Sequence, residues 1–236
     1  MLIQVVHCHP LTESYNHALF HTIVTALEDN GHQVVATDLY REQFDPAMSA
    51  DERRSYYAAR YDDTMVSAHT ALLRRVDGII FCFPHWWFAM PAMLKGYFDR
   101  VWAPGIAFER DIAGGRIRPL LTHIKLFGVV TTYGSPWWIT RLVAGDPGRK
   151  VLMRALKPMC GHRLRSFFLA QYDLDRSTLA ARAAFIARVR AQVTRFDRPA
   201  WEPWLRSGSM QSCRTERPGW AGFSSSLRAY WPASDN

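Results

Sequence analysis

The chain has little of what would staple a protein or anchor it elsewhere. Its 236 residues include four cysteines, Cys8, Cys82, Cys160 and Cys213, far apart and with no C-x-x-C pair. That spacing supports neither a disulfide framework nor a zinc site, and no metal is expected. Cys8 and Cys82 fall inside apolar, strand-like runs, where cysteine serves as a small buried hydrophobe. No apolar run reaches the ~20 residues that a membrane-spanning helix needs. Met1-Leu2-Ile3-Gln4-Val5-Val6 lacks the basic segment and small-residue cleavage site of a secretion signal. It reads as a first strand, and a cytoplasmic protein is the expectation. There is no G-x-G-x-x-G and no P-loop, which disfavours a Rossmann-type dinucleotide turn. The formal charge of +8 comes from scattered residues, mostly arginines on the polar faces of candidate helices. Without a dense basic run interleaved with aromatics, nucleic acid is not an expected partner. Attraction to phosphorylated small molecules accounts equally well for the excess.

What the chain does have is apolar residues, 48% of the total, enough for a substantial core. They come in short runs that alternate with helical patterns. Residues 2–8, 33–39, 78–83, 125–132 and 164–170 read as strands. Residues 16–30, 67–75, 91–101, 149–159 and 178–196 read as helices, the first stopped by Gly31. Strands buried on both faces and alternating with helices predict a parallel sheet built from βαβ units. The expected fold class is therefore α/β, a flavodoxin-like doubly wound sheet of five parallel strands with helices on both faces. This domain is expected to cover residues 1–196. Residues 197–236 form a Trp-rich extension with Trp201, Trp204, Trp220 and Trp231 but no periodicity. It is read as partly irregular and suited to anchoring on the body or on a partner.

Doubly wound sheets bind ligands beyond the carboxyl ends of the strands, where the strand order switches. That rule selects three loops. The first runs from Cys8 to Tyr15 into a helix start, where free amides and the helix dipole favour a phosphate. Ser14 and Asn16 are candidate caps or phosphate donors there, and His9 a third donor. The second carries Pro84-His85-Trp86-Trp87-Phe88, three consecutive aromatics that suit a flat heteroaromatic ligand. The third is Thr131-Thr132-Tyr133-Gly134-Ser135-Pro136-Trp137-Trp138, whose hydroxyls and amides can meet the polar edge of such a ring. Each loop also has a bland explanation as cap, core filling or turn. Three ligand-competent loops on three successive strand ends are harder to explain that way.

The stretch F-P-H-W-W-F-A-M-P-A-M-L-K-G-Y-F, residues 83–98, is similar to F-P-x-x-W-[FY]-x-x-P-x-x-L-K-x-[WY] of the flavodoxin-like NAD(P)H:quinone oxidoreductases. That family includes quinone reductases and the flavoprotein ancillary subunits of potassium-efflux systems. His9 with Ser14-Tyr15-Asn16 resembles its phosphate loop, and Thr131-Thr132-Tyr133-Gly134 its T-T-G-G turn, with tyrosine for the first glycine. The resemblance covers residues 1–196. It implies that Pro84, His85, Trp86, Trp87 and Phe88 line one edge and face of an isoalloxazine. Thr131, Thr132, Tyr133 and Gly134 would bind its pyrimidine side, while His9, Ser14, Tyr15 and Asn16 hold the phosphates. The implied cofactor is FAD, with FMN as the alternative, and NAD(P)H is the implied donor. Two electrons would pass to a quinone or similar acceptor, in a homodimer with the flavin at the subunit interface. Reduction of azo or nitro compounds, or peripheral service to a membrane potassium-efflux transporter, are the implied alternatives. Many members carry a tyrosine and a histidine after the turn, where they stabilise charge on the reduced cofactor. Here that segment, Trp137 to Asp146, has no histidine, which leaves Tyr133 and Arg141 as the candidate catalytic residues.

Overall fold

The computed structural model describes residues 1–110, 116–162 and 164–195. The expected Trp-rich extension and its four tryptophans lie outside them. Five parallel strands form the central sheet: β1 (Leu2–His7), β2 (Gln33–Asp38), β3 (Gly78–His85), β6 (Leu126–Tyr133) and β7 (Arg165–Gln171). Their order is β2-β1-β3-β6-β7, so the chain winds outward from β1 to one side and then to the other. A two-stranded antiparallel ribbon, β4 (Phe108–Arg110) and β5 (Ile117–Pro119), stands apart from it. Short runs without periodicity gave the ribbon no sequence signal.

The period-2 alternation of strand side chains divides the core in two. On one face, Ile3 and Val5 of β1, Ile80 and Cys82 of β3, and Leu126 and Val130 of β6 pack with α1 (Tyr15–Asp29) and α6 (Leu179–Arg195). On the other, Val6, Phe81, Phe83, Phe127 and Val129 pack with α3 (Ser67–Leu73) and α4 (Ala92–Val101). α2 (Ala50–Ser55) carries a Ser49–Glu52 capping box. Of the three inner strands, β3 and β6 are buried along their whole length and β1 over all but its first residue, as near-continuous apolar runs require.

Two expectations differ in detail. β3 continues two residues past Phe83, so Pro84 and His85 pair with Thr132 and Tyr133 of β6. The helix expected over 149–159 is irregular. It starts as α5 (Pro147–Lys150), widens into a π-helix over Val151–Leu156 and tightens to 3-10 over Lys157–Cys160. Among the described residues, no helix is long and apolar enough to cross a membrane.

Candidate functional site

β1, β3 and β6 are neighbours, so their carboxyl ends bring the three loops to one edge of the sheet. In the first loop, Ser14 caps α1, its side-chain oxygen accepting from the His17 amide at 3.1 Å. α1 has 15 residues and no acidic residue in its first turn, so its amino end keeps its positive character. His9 is tied to the backbone of Leu11 through Nδ1 at 3.1 Å, and its ring lies 6.0 Å from that of Trp86 in the second loop. The side chains of Tyr15 and Asn16 turn into the fold. Tyr15 Oη donates to Gln171 Oε1 at 2.6 Å, and Asn16 Nδ2 donates to Thr132 Oγ1 at 3.2 Å. What the loop offers outward at these two positions is backbone amides, which first-turn geometry leaves without helical partners.

The second loop is a tight reversal. Trp86 and Ala89 exchange both backbone hydrogen bonds at 3.0 Å, and the two residues between them, Trp87 and Phe88, have φ of 51° and 59°. Such a turn normally takes Asn-Gly or Gly-Gly. A tryptophan and a phenylalanine in the left-handed region cost about 1–2 kcal/mol each. The strain holds Trp87 out in water, 96% exposed, beside the half-exposed Trp86.

Beneath the loops lies a buried polar chain. Thr131 Oγ1 donates to the Phe83 carbonyl at 2.7 Å, so its contact with His85 Nδ1, also 2.7 Å, is one in which the imidazole donates. His85 Nε2 is then an acceptor. It faces Tyr133 Oη at 3.2 Å, while Tyr133 Oη also faces Asp146 Oδ1 at 3.0 Å. The rings of His85 and Tyr133 stack at 4.1 Å, and Tyr133 stacks on Tyr172 at 5.0 Å. Burial pulls His85 down to about 3, so its ring is neutral. Burial, and after it the Asp146 carboxylate, raises the Tyr133 hydroxyl well above the ordinary phenol range. One hydroxyl proton therefore serves two acceptors, and the chain has room for one proton more. Asp146 Oδ2 is buried with no hydrogen-bond partner among the described residues, and Arg141 Nε stands 3.9 Å away. Arg141 itself is half-exposed and bonds Tyr172 Oη at 3.3 Å. Gly148 packs against His85 closely enough that a Cβ there would fall 2.2 Å from Nε2.

The structure thus gathers Pro84, His85, Trp86, Trp87, Phe88, Thr131, Thr132, Tyr133 and Gly134 with His9 and Ser14 at one sheet edge. It separates them by depth. Trp86, Trp87, Phe88 and Gly134 reach the surface, whereas Pro84, His85, Thr131, Thr132 and Tyr133 lie under it. Asp146, Gly148 and Tyr172 escaped sequence reasoning as members of this site. The first two follow an irregular turn, and Tyr172 lies just past a strand that carries no loop motif.

The model of a family described by its flavodoxin-like fold matches residues 1–193. A ribosyldihydronicotinamide dehydrogenase-like protein of Penicillium crustosum is 37% identical over 121 residues, 44% of this chain and 45% of that protein. The ribosyldihydronicotinamide dehydrogenase [quinone] of Pongo abelii is 32% identical over 161 residues, 61% of this chain and 69% of that protein. The chain spans about half the length of the first curated relatives it matches, 45% and 55%. The solved NAD(P)H:quinone oxidoreductase of Methanothermobacter marburgensis superposes with a TM-score of 0.72 at 23% identity, over 84% of this chain and 98% of that one. At that identity the likeness concerns the fold. Family model, relatives and strand order agree that the chain belongs to the flavodoxin-like family of NAD(P)H:quinone oxidoreductases.

Proposed function

We propose that this chain binds a flavin, FAD, at the edge formed by β1, β3 and β6, and passes two electrons from NAD(P)H to a quinone-like acceptor. The observation that carries the reading is the strained turn that exposes Trp87. A large aromatic held in water at a conformational cost is a binding surface. The donor set fits the rest of such a cofactor: the amino end of α1, Ser14 and His9 suit phosphates, and the aromatic wall suits a fused ring. A bound flavin supplies the hydride acceptance and release that no side chain can. Trp86, Trp87 and Phe88 orient a flat ring and exclude water from one side of it.

The buried chain supports a second role. Two-electron reduction of a ring consumes protons as well as a hydride. His85, Tyr133 and Asp146 hold one proton fewer than their hydrogen-bonding atoms accept, and Arg141 lowers the cost of negative charge on Asp146. Tyr133 Oη would give its proton to the reduced acceptor and recover one from solvent by way of the Asp146 carboxylate, while the neutral His85 Nε2 accepts a hydrogen bond and orients the hydroxyl. The histidine that the third loop lacks is thus replaced by one from the second. Asp146→Asn is expected to lower quinone reduction about tenfold or more. An unchanged rate would remove the relay and leave flavin binding intact.

The homodimer is supported by exposed apolar side chains at the end of the third loop and beyond it. Trp137, Trp138, Leu142, Val143 and Val151 are all outward, Leu142 and Val143 at 72% and 73% exposure. A second copy covering this face buries a patch of the kind monomers rarely show.

The decisive experiment is Trp87→Gly. Glycine relieves the positive φ, so the flavin-free variant is expected to melt higher than flavin-free wild type. The same change deletes the stacking surface, worth about 1–3 kcal/mol, or roughly 5- to 150-fold in flavin Kd. Heat release and chromatography identify the cofactor as FAD or FMN. A panel of menadione, an azo dye and a nitroaromatic tests the acceptor class, with menadione expected fastest. Equal flavin affinity in variant and wild type would sink the assignment of this turn.

A further inference from the structure

A second group of polar side chains lies behind the first loop and takes no part in the site above. His7, the last residue of β1, is fully buried and stacks on Phe20 at 4.6 Å. Asp38, the last residue of β2, pairs with it in register. His17 lies in the first turn of α1, buried with them. One donor atom from each of the three falls within 4.8 Å of the other two.

The hydrogen bonds around them fix which atoms are available. His7 Nδ1 meets the Cys82 carbonyl at 3.2 Å, and a carbonyl only accepts, so Nδ1 carries the proton. Nε2 is then a bare lone pair, 3.3 Å from His17 Nδ1. Two nitrogens each about 2.0–2.1 Å from a tetrahedral ion stand about 3.3–3.4 Å apart, which is this spacing. A ligating imidazole usually donates its other N–H to a carbonyl or similar acceptor, as His7 does here. His17 has its own outer partner, Nε2 lying 3.0 Å from His21 Nε2. Asp38 is held by the amides of Tyr40 and Arg41, which reach Oδ1 at 3.1 and 3.2 Å. A shared proton alone can join His7 to His17. It gives the Asp38 carboxylate, 8% exposed, nothing beyond those two amides. A divalent cation engages all three groups at once and neutralises the buried charge.

We propose that His7, His17 and Asp38 bind one divalent transition-metal ion, with a fourth position left to water. Two imidazoles and one carboxylate suit Zn²⁺, Cu²⁺, Ni²⁺ or Co²⁺ and not Ca²⁺ or Mg²⁺. The ion ties the ends of β1 and β2 to α1 beneath the first loop. Sequence alone carries no sign of it, because the three residues are separated by strand and helix and form no ligand-spacing motif.

The test uses the full chain without a polyhistidine tag, stripped with a chelator and titrated with Zn²⁺ by calorimetry. One ion per chain is expected, with micromolar or tighter affinity. Loss of an outer-shell partner alone costs about 10–100-fold in metal affinity, so loss of a ligand costs at least that. His17→Gln and Asp38→Asn should each weaken Zn²⁺ at least tenfold, whereas His69→Gln should not. Asn at position 38 can still accept from the Tyr40 and Arg41 amides, which preserves the turn. Copper loading gives a readout independent of the variants' folding. The electron paramagnetic resonance spectrum of wild type with one Cu²⁺ should show hyperfine coupling to two imidazole nitrogens. Absence of that coupling, or Zn²⁺ affinity equal in wild type and both folded variants, overturns the site.

Discussion

Between pH 7.5 and 4.5 the folded state is expected to lose about 2.7 kcal/mol of stability through His85 alone. The ring is buried under the second loop, and desolvation lowers its pKa from 6.5 to about 3. In the unfolded chain the ring takes up a proton near its ordinary value, whereas the folded state excludes it. The stabilising term is therefore fully present above pH 6.5, falls by about 1.4 kcal/mol per pH unit below it, and levels off near pH 3. Urea unfolding at a series of pH values measures the slope. His85→Gln keeps a polar group at the position but no titration, so its slope should be shallower by that amount. Parallel curves for variant and wild type would mean that water or a relay proton reaches the ring in the folded state. The prediction thus also probes the proton deficit of the His85–Tyr133–Asp146 chain.

Arg100→Met is expected to cost about 3–5 kcal/mol, the usual penalty for leaving one member of a buried ion pair alone. Arg100 on α4 and Glu52 on α2 are 4% and 3% exposed, and Arg100 Nε and Nη2 reach Glu52 Oε1 at 2.8 and 2.7 Å. Arg100 also donates to the Asp45 carbonyl and lies 5.7 Å over the Phe44 ring. The other Glu52 oxygen closes the capping box, accepting from the Ser49 amide at 2.6 Å. Without the guanidinium, the carboxylate stays buried with only that amide. Arg100→Met combined with Glu52→Gln should recover much of the loss, because the uncompensated charge has gone. Chemical denaturation of both variants measures the difference. A single variant within 1 kcal/mol of wild type would show that water already reaches the pair. α4 begins directly after the strained turn, so loosening it should also weaken whatever the turn binds.

Much of this molecule was legible as a pattern. Apolar runs of six to eight residues separated by helical periods allow little besides a parallel sheet, because every such strand must be covered on both faces. The five strands and the order β2-β1-β3-β6-β7 follow that expectation. So does the place of the three loops, since a doubly wound sheet puts its switch point at the ends of neighbouring strands. Pattern failed where hydrogen bonds and not hydrophobicity decide conformation. The π-helical turn over Val151–Leu156 and the β4–β5 ribbon carry no periodicity strong enough to read.

Local sequence also determined which residue types stand at the loops, because a loop between a strand and a helix fixes its own position on the sheet. It did not determine their depth or their partners. His85, Thr131 and Tyr133 read as surface ligands but are buried, since β3 runs on through Pro84 and His85 and hydrogen-bonds to β6 there. Tyr15 and Asn16 read as phosphate donors, yet their side chains are spent on Gln171 and Thr132, more than a hundred residues away. The missing histidine was sought beside Arg141 in sequence, while the one that meets Tyr133 comes from the neighbouring strand. His7, His17 and Asp38 converge for the same reason. Proximity across a sheet is set by register between strands, and register is a property of the assembled sheet that no single segment encodes.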